Sequence, residues 1–233
     1  MWQKSNMEHE KKFNLQFEVE QRHFLEKLDF VDWFRYFYII KEVIDFTPDN
    51  VLEIGVGSGM VKNCLKPIVK NYMVMDVNKN LQPDIVNDVR IYQDRLKCKF
   101  ECVIAADILE HMPFSDLERS LKNIYSYLKN KGIAIITIPH RRTNFLFMTP
   151  TNKPHVFTLP TGFLSPGAFY RRFIKRKIWI DPDHCWEIGD GRIKKHDVET
   201  LFKKCGYEIY KFRKLFYVDF WVLFNLRTKI GNV

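Results

Sequence analysis

Cysteine is sparse in this chain and poorly spaced for covalent or metal chemistry. The five, Cys64, Cys98, Cys102, Cys185 and Cys205, are odd in number and include no Cys-x-x-Cys, so neither a disulfide framework nor a cysteine zinc site is indicated. Long apolar runs are missing too. The greasiest stretch, Phe216 to Phe224, is nine residues long and contains Asp219, well short of the roughly 18 uncharged residues of a spanning helix. The opening residues Met1-Trp2-Gln3-Lys4-Ser5 lack the apolar centre of a secretory signal. These absences point to a cytoplasmic, reducing setting. Disorder is excluded by a hydrophobic content of 46% with 20 Phe, and 233 residues suffice for one domain with a full core and an insertion. Acid is missing from one long segment. From Arg141 to Ile180 the chain holds eight basic residues (Arg141, Arg142, Lys153, Arg171, Arg172, Lys175, Arg176 and Lys177) and no Asp or Glu, although it carries 28 acids overall and a net charge of +9.

What the chain does have is a sharp turn signal at Val51-Leu52-Glu53-Ile54-Gly55-Val56-Gly57-Ser58-Gly59. A short buried strand runs straight into glycines at alternate positions, where the backbone can bend tightly and a ligand can approach closer than a side chain would allow. The dinucleotide fingerprint needs G-x-G-x-x-G, but Met60 stands where its third glycine would be, and no Gly-Lys-Ser/Thr of a triphosphate loop follows. Glu53, just before the glycines, would repel a pyrophosphate and can hold a cationic amine, directly or through water.

Glu53-x-Gly55-x-Gly57-x-Gly59 resembles motif I of the class I S-adenosylmethionine-dependent methyltransferases, and motifs farther along are similar to those of ubiquinone-pathway O-methyltransferases. The resemblance implies S-adenosyl-L-methionine as cofactor, held by Glu53, Gly55, Gly57, Gly59 and by acids on later strand tips. Asp76, ending the second strand, is expected at the ribose hydroxyls. Asp88 is expected at the adenine amino group, the Val89 amide at a ring nitrogen, and Asp107 at the sulfonium end.

The rest of the chain supports an α/β fold. Residues Glu8 to Phe46 read as helical, with Asp29 as a cap and Thr47-Pro48-Asp49 as a stop. Strands are predicted at Tyr72–Met75, Asp84–Val86, Phe100–Ala106 and Ile133–Ile138. Ser115-Asp116-Leu117-Glu118 reads as a capping box for a helix carrying Leu117, Leu121, Ile124 and Leu128 on one face. Alternation of strand and helix specifies a Rossmann-like parallel sheet with helices on both faces, and the helix His196–Cys205 followed by strands at Tyr207–Lys214 and Phe220–Asn225 is similar to the reversed C-terminal β-hairpin of that family. The expected division is an N-terminal helical region, 1–47; the cofactor-binding half, 48–140; a basic, aromatic, proline- and glycine-rich insertion covering the substrate, 141–192; and a helix and hairpin completing the sheet, 193–233.

For chemistry, His111 and His184 are the candidate catalytic bases, with His140 a further candidate, because histidine alone titrates near neutrality unaided. Asp107-x-x-Glu110-His111 together with His184 is also similar to the divalent-metal set of small-RNA and ubiquinone-pathway methyltransferases, with Asp107 where those enzymes have Glu. A metal on Asp107, Glu110, His111 and His184 is the less favoured expectation. The implied reaction moves a methyl group to an oxygen or nitrogen nucleophile of an anionic or hydroxyl-bearing acceptor. A small molecule or a phosphorylated glycan or lipid is favoured, and RNA also fits the basic insertion. Two alternatives stand beside it: a non-catalytic binding protein that retains the fold, and an NAD-dependent oxidoreductase, which the short glycine spacing opposes.

Overall fold

In the computed structural model, residues 18–148, 150, 154–160, 166–175 and 180–226 are described. The central strand β1 (Asn50–Ile54) pairs in parallel with β2 (Asn71–Asp76) on one side and β4 (Phe100–Ala106) on the other. The two-residue strand β3 (Ile85–Val86) adds to β2, and β5 (Leu128–Pro139) adds in parallel to β4. At the far edge β8 (Tyr207–Lys214) and β9 (Val218–Asn225) form a hairpin whose second strand inserts antiparallel to β5. The seven-stranded order is thus β3-β2-β1-β4-β5-β9-β8, the Rossmann-like sheet with a reversed terminal hairpin expected from the sequence.

Alternate residues of the central strands feed two cores, which is why these strands read as unbroken apolar runs. Leu52, Ile54, Ala134, Ile136 and Ile138 face one core, where α4 (Leu117–Tyr127) adds Leu117, Leu121 and Ile124 and α6 (Lys195–Lys204) adds Val198 and Phe202. Val51, Ile104, Ile133 and Ile135 face the other, covered by α2 (Phe30–Phe46) through Ile39 and Val43 and by α3 (Met60–Leu65) through Val61 and Leu65. Each such buried Leu, Ile or Val contributes about 1.5–3 kcal/mol.

Local structure departs from expectation in places. The N-terminal region is helical in two pieces, α1 (Gln21–Glu26) and then α2, which Asp29 caps as expected; positions 8–17 lie outside the described residues. The break has a cause in Asp29, whose Oδ1 accepts from the amides of Val31 (2.8 Å) and Asp32 (3.0 Å) while Asp32 returns a carboxylate to the Asp29 amide. The capping box expected at Ser115 does not form; Phe114–Asp116 is a 3₁₀ turn, and the Asp116 carboxylate serves Arg90 and Arg119 instead. The fifth strand begins at Leu128 rather than Ile133, with a register irregularity opposite Phe100 and Cys102. Between β5 and α6 the chain forms a separate two-stranded sheet, β6 (Arg142–Met148) with β7 (Pro154–Pro160), and a short helix α5 (Pro166–Phe169) that continues as a π-helical turn over Tyr170–Ile174. No helix among the described residues is long and apolar enough to cross a membrane.

The Asp29 box is the reason α2 starts where it does, so Asp29→Ala should lower stability by about 1 kcal/mol in denaturant unfolding. An unchanged midpoint would show that tertiary contacts, not the cap, fix that boundary.

Candidate active site

The carboxyl edge of the parallel strands opens into a cleft of about 610 Å³ lined by Glu53, Gly55, Gly57, Asp76, Asp88, Val89, Asp107 and His111, among others. The glycine turn makes its floor. Gly55 has φ +80°, and a Cβ there would collide with the Ile108 side chain; Gly59 has φ +73° and would collide with Gln21. Both are conformations and approaches that only glycine takes without strain. The turn is locked to β2 by a buried hydrogen bond from the Val56 amide to Asp76 Oδ2 (2.9 Å), while Asp76 Oδ1 accepts from the Asn78 amide (2.8 Å). An ionised carboxylate offers about four acceptor sites, so Asp76 keeps acceptor capacity beyond these two bonds. Burial raises its pKa, and these amides oppose the rise.

Glu53 is buried and accepts from the Tyr72 hydroxyl at 2.9 Å. Desolvation pushes its carboxyl up to about 8, partly offset by the Tyr72 bond and by Lys62. Asp107, at the tip of β4, takes a left-handed backbone (φ 51°), a conformation that costs a non-glycine residue about 1 kcal/mol and tends to cluster at functional sites. Its carboxylate accepts from the Thr137 hydroxyl (2.5 Å) and pairs with Arg35 of α2, which also donates to Asp32 (2.8 Å).

Two of the expected site acids carry arginine partners. Asp88 lines the cleft, but its carboxylate is occupied by the Arg90 amide and guanidinium, with contacts of 2.5–3.0 Å, which hold its pKa down although burial alone would raise it. Asp107 is separated from the other candidate metal ligands by its pairing with Arg35; Glu110, His111 and His184 alone group their ligand atoms within 4.8 Å, among the described residues. Val89 lines the cleft with its carbonyl held by Asn123 (2.8 Å). Gly59 helps form the turn and caps α3. His140 is buried, contacts the Leu215 carbonyl at 3.3 Å and is pushed down to about 4 by desolvation, so it belongs to the core of the sheet edge and not to the cleft.

His111 and His184 are brought together across 73 positions of sequence, their rings edge to face at 4.8 Å. The segment carrying His184 is pinned to the loop after β4 by the Cys185 amide on the Glu110 carbonyl (2.8 Å), the Trp186 indole on the Met112 carbonyl (3.0 Å) and His111 Nδ1 against the Asp183 carbonyl (2.9 Å). Glu187, fully buried, accepts from the Asp181 amide (3.0 Å) and from Arg141 (2.5 Å) and meets His184 Nδ1 at 2.7 Å. This fixes the imidazole's orientation and leaves Nε2 toward Glu110 Oε1, 4.0 Å away. Glu110 is fully buried, neither carboxylate oxygen has a hydrogen-bond partner, and desolvation lifts it to about 8. Burial and the neighbouring His184 lower His111 to about 4, so it is neutral at physiological pH.

Residues 34–211 match a protein family described as a methyltransferase domain. The chain belongs to that methyltransferase family. No curated protein matches its sequence. Its structure is similar to the N-methyltransferase NodS from Bradyrhizobium japonicum WM9, in complex with S-adenosylhomocysteine, at 12% identity and TM-score 0.51 over 82% of this chain and 87% of that one. It is similar as well to the 1,6-didemethyltoxoflavin N1-methyltransferase of Burkholderia thailandensis, at 9% identity and TM-score 0.50 over 82% and 77%. A third is an S-adenosylmethionine-dependent methyltransferase from Clostridium acetobutylicum ATCC 824, at 14% identity and TM-score 0.54 over 86% and 93%.

Several residues of this methyltransferase's cleft escape sequence reasoning. Arg35 reaches Asp107 from α2, Gln21 donates to the Ser58 carbonyl (2.9 Å), and Tyr36 shares a hydrogen bond with the Ser58 hydroxyl (2.9 Å). Phe24 lies over Gly57. Glu187 and Arg141 were equally hidden, since their partnership depends on where the insertion folds back.

Trp186→Ala should cost about 3–5 kcal/mol in thermal or denaturant unfolding, because the indole is buried and hydrogen-bonded. A loss below about 1 kcal/mol would mean that the His184 segment is held by other contacts.

Proposed function

We propose that this methyltransferase takes S-adenosylmethionine as its donor and moves the methyl group to an oxygen or nitrogen nucleophile of an anionic or hydroxyl-bearing acceptor. The observation that supports the donor is the pair of buried carboxylates, Glu53 and Asp76, on neighbouring strand tips beside a glycine turn that side chains would block. Such a cradle suits an ammonium and a ribose diol and disfavours a diphosphate. The donor supplies an activated carbon: the acceptor's lone pair forms the new bond to the methyl carbon as the carbon–sulfur bond breaks toward sulfur. Glu53 holds the ammonium, Asp76 uses its remaining acceptor sites for the ribose hydroxyls, and the Val89 amide meets the adenine ring. Asp88 serves the adenine amino group only by giving up part of its hold on Arg90. Asp107, neutralised by Arg35, shapes the sulfonium end. His184, oriented by Glu187, removes the acceptor's proton, with neutral His111 beside it as a second acceptor site. Burial lowers the pKa of His111 and weakens it as a proton acceptor.

Calorimetry tests the donor. S-adenosylmethionine should bind and NAD should not, and Asp76→Ala should weaken binding at least about tenfold. A raised Glu53 carboxyl adds a signature, because pairing with an ammonium favours its ionised form. At about pH 6.5 binding should release close to one proton to the buffer, a release that Glu53→Gln abolishes. Binding of NAD alone would overturn the donor assignment, and absence of proton release would remove Glu53 from it.

A second reading has an observation of its own, the unpartnered Glu110 carboxylate beside two imidazoles. Those three residues fit a divalent cation, with Glu187 and Arg141 holding His184 in place behind it. A cation there would lower the pKa of an acceptor hydroxyl. Manganese or magnesium should then raise the melting temperature of the wild type and not of Glu110→Ala; equal melting curves with and without metal would dismiss this reading.

A further inference from the structure

The insertion presents apolar side chains to water where the sequence is most basic. On the β6–β7 hairpin, Phe145, Phe147 and Phe157 lie on one face by register, and Phe147 and Phe157 are exposed, as is Met148 at the tip. On the helical turn that follows, Tyr170 and Ile174 are exposed four residues apart, Ile174 at 63%, with Lys175 exposed beside them and the Phe169 and Phe173 rings in tilted contact. The segment from Arg141 to Ile180 holds eight basic residues and no acid of its own, and of the eight Arg141 is paired with Glu187. An exposed apolar patch of this kind marks an interaction site, and its charge selects the partner.

We infer that this insertion docks the protein onto the surface of an anionic lipid bilayer. Met148 and Ile174 decide against nucleic acid, because aliphatic side chains gain nothing from base stacking and gain most when they leave water for hydrocarbon. Phe, Tyr and Lys on the same elements match the composition of interfacial segments, with rings at the headgroup level and cations on the phosphates. Apolar insertion and basic attraction together supply the two signals that reversible membrane binding needs. The hairpin leaves the sheet at Arg141, which holds Glu187 and through it His184, so docking brings the base of the insertion and the adjoining cleft to the lipid side.

Sedimentation of the full chain with vesicles tests this. The protein should pellet with mixed phosphatidylcholine–phosphatidylglycerol vesicles and not with phosphatidylcholine alone, and added salt should weaken the binding. The variant combining Phe147→Ser, Met148→Ser and Ile174→Ser should lose at least about tenfold in partitioning while keeping the wild-type melting temperature. Lys175→Glu should lose a smaller part. Hydrogen exchange of the wild type should show protection over 142–160 and 166–175 on adding anionic vesicles, a readout independent of the variants. Absence of pelleting, wild-type binding by the triple-serine variant, or tighter binding to single-stranded RNA than to vesicles at the same salt would each overturn the proposal.

Discussion

The buried hydrogen bond from the Val56 amide to Asp76 holds the site in shape. It joins the turn after β1 to the tip of β2, and it can form only because Gly55 and Gly59 take left-handed backbones that bring the amide around. With that bond in place, Asp76 has one amide on each oxygen and a fixed orientation at the cleft, and Glu53 is sealed beneath it against Tyr72. A carboxylate left loose at this edge would lose its direction; one left unbonded at this depth would lose its charge.

A second constraint organises the other wall. The loop after β4 and the segment 181–190 are about 70 positions apart in sequence, yet are joined by backbone and indole hydrogen bonds around Trp186. That junction is apolar and buried, and it sets two histidines and an unsatisfied glutamate at close range. Glu187 extends the arrangement outward through Arg141 to the start of the basic hairpin. The histidine cluster and the segment that follows β5 are therefore mechanically linked: Glu187, which orients His184, is held by Arg141 at the start of that segment.

Much of this could be read from the chain alone. Glycines at 55, 57 and 59 announce the turn because glycine takes positive φ without strain and, at 55 and 59, leaves room for Ile108 and Gln21. Asp76 and Asp107 follow apolar strand runs, so their place at strand tips is a matter of counting. The capping box at Ser115 misled because Asp116 had a better offer from Arg90 and Arg119. Both cleft acids also carry arginine partners: Arg90 lies two residues from Asp88, whereas Arg35 reaches Asp107 from a distant helix that no local pattern links to it.

Periodicity, turn chemistry and strand-end acids thus fixed the sheet, its order of construction and the edge where a ligand binds, since each depends on neighbours within a few positions. Ion pairs depend on which long side chains meet after the chain has packed. Folding alone revealed that Arg35 neutralises Asp107, that His184 comes up against Glu110 and His111, and that Phe147, Met148 and Ile174 face water. These are contacts, or missing contacts, between residues far apart in the chain, and no spacing rule encodes them.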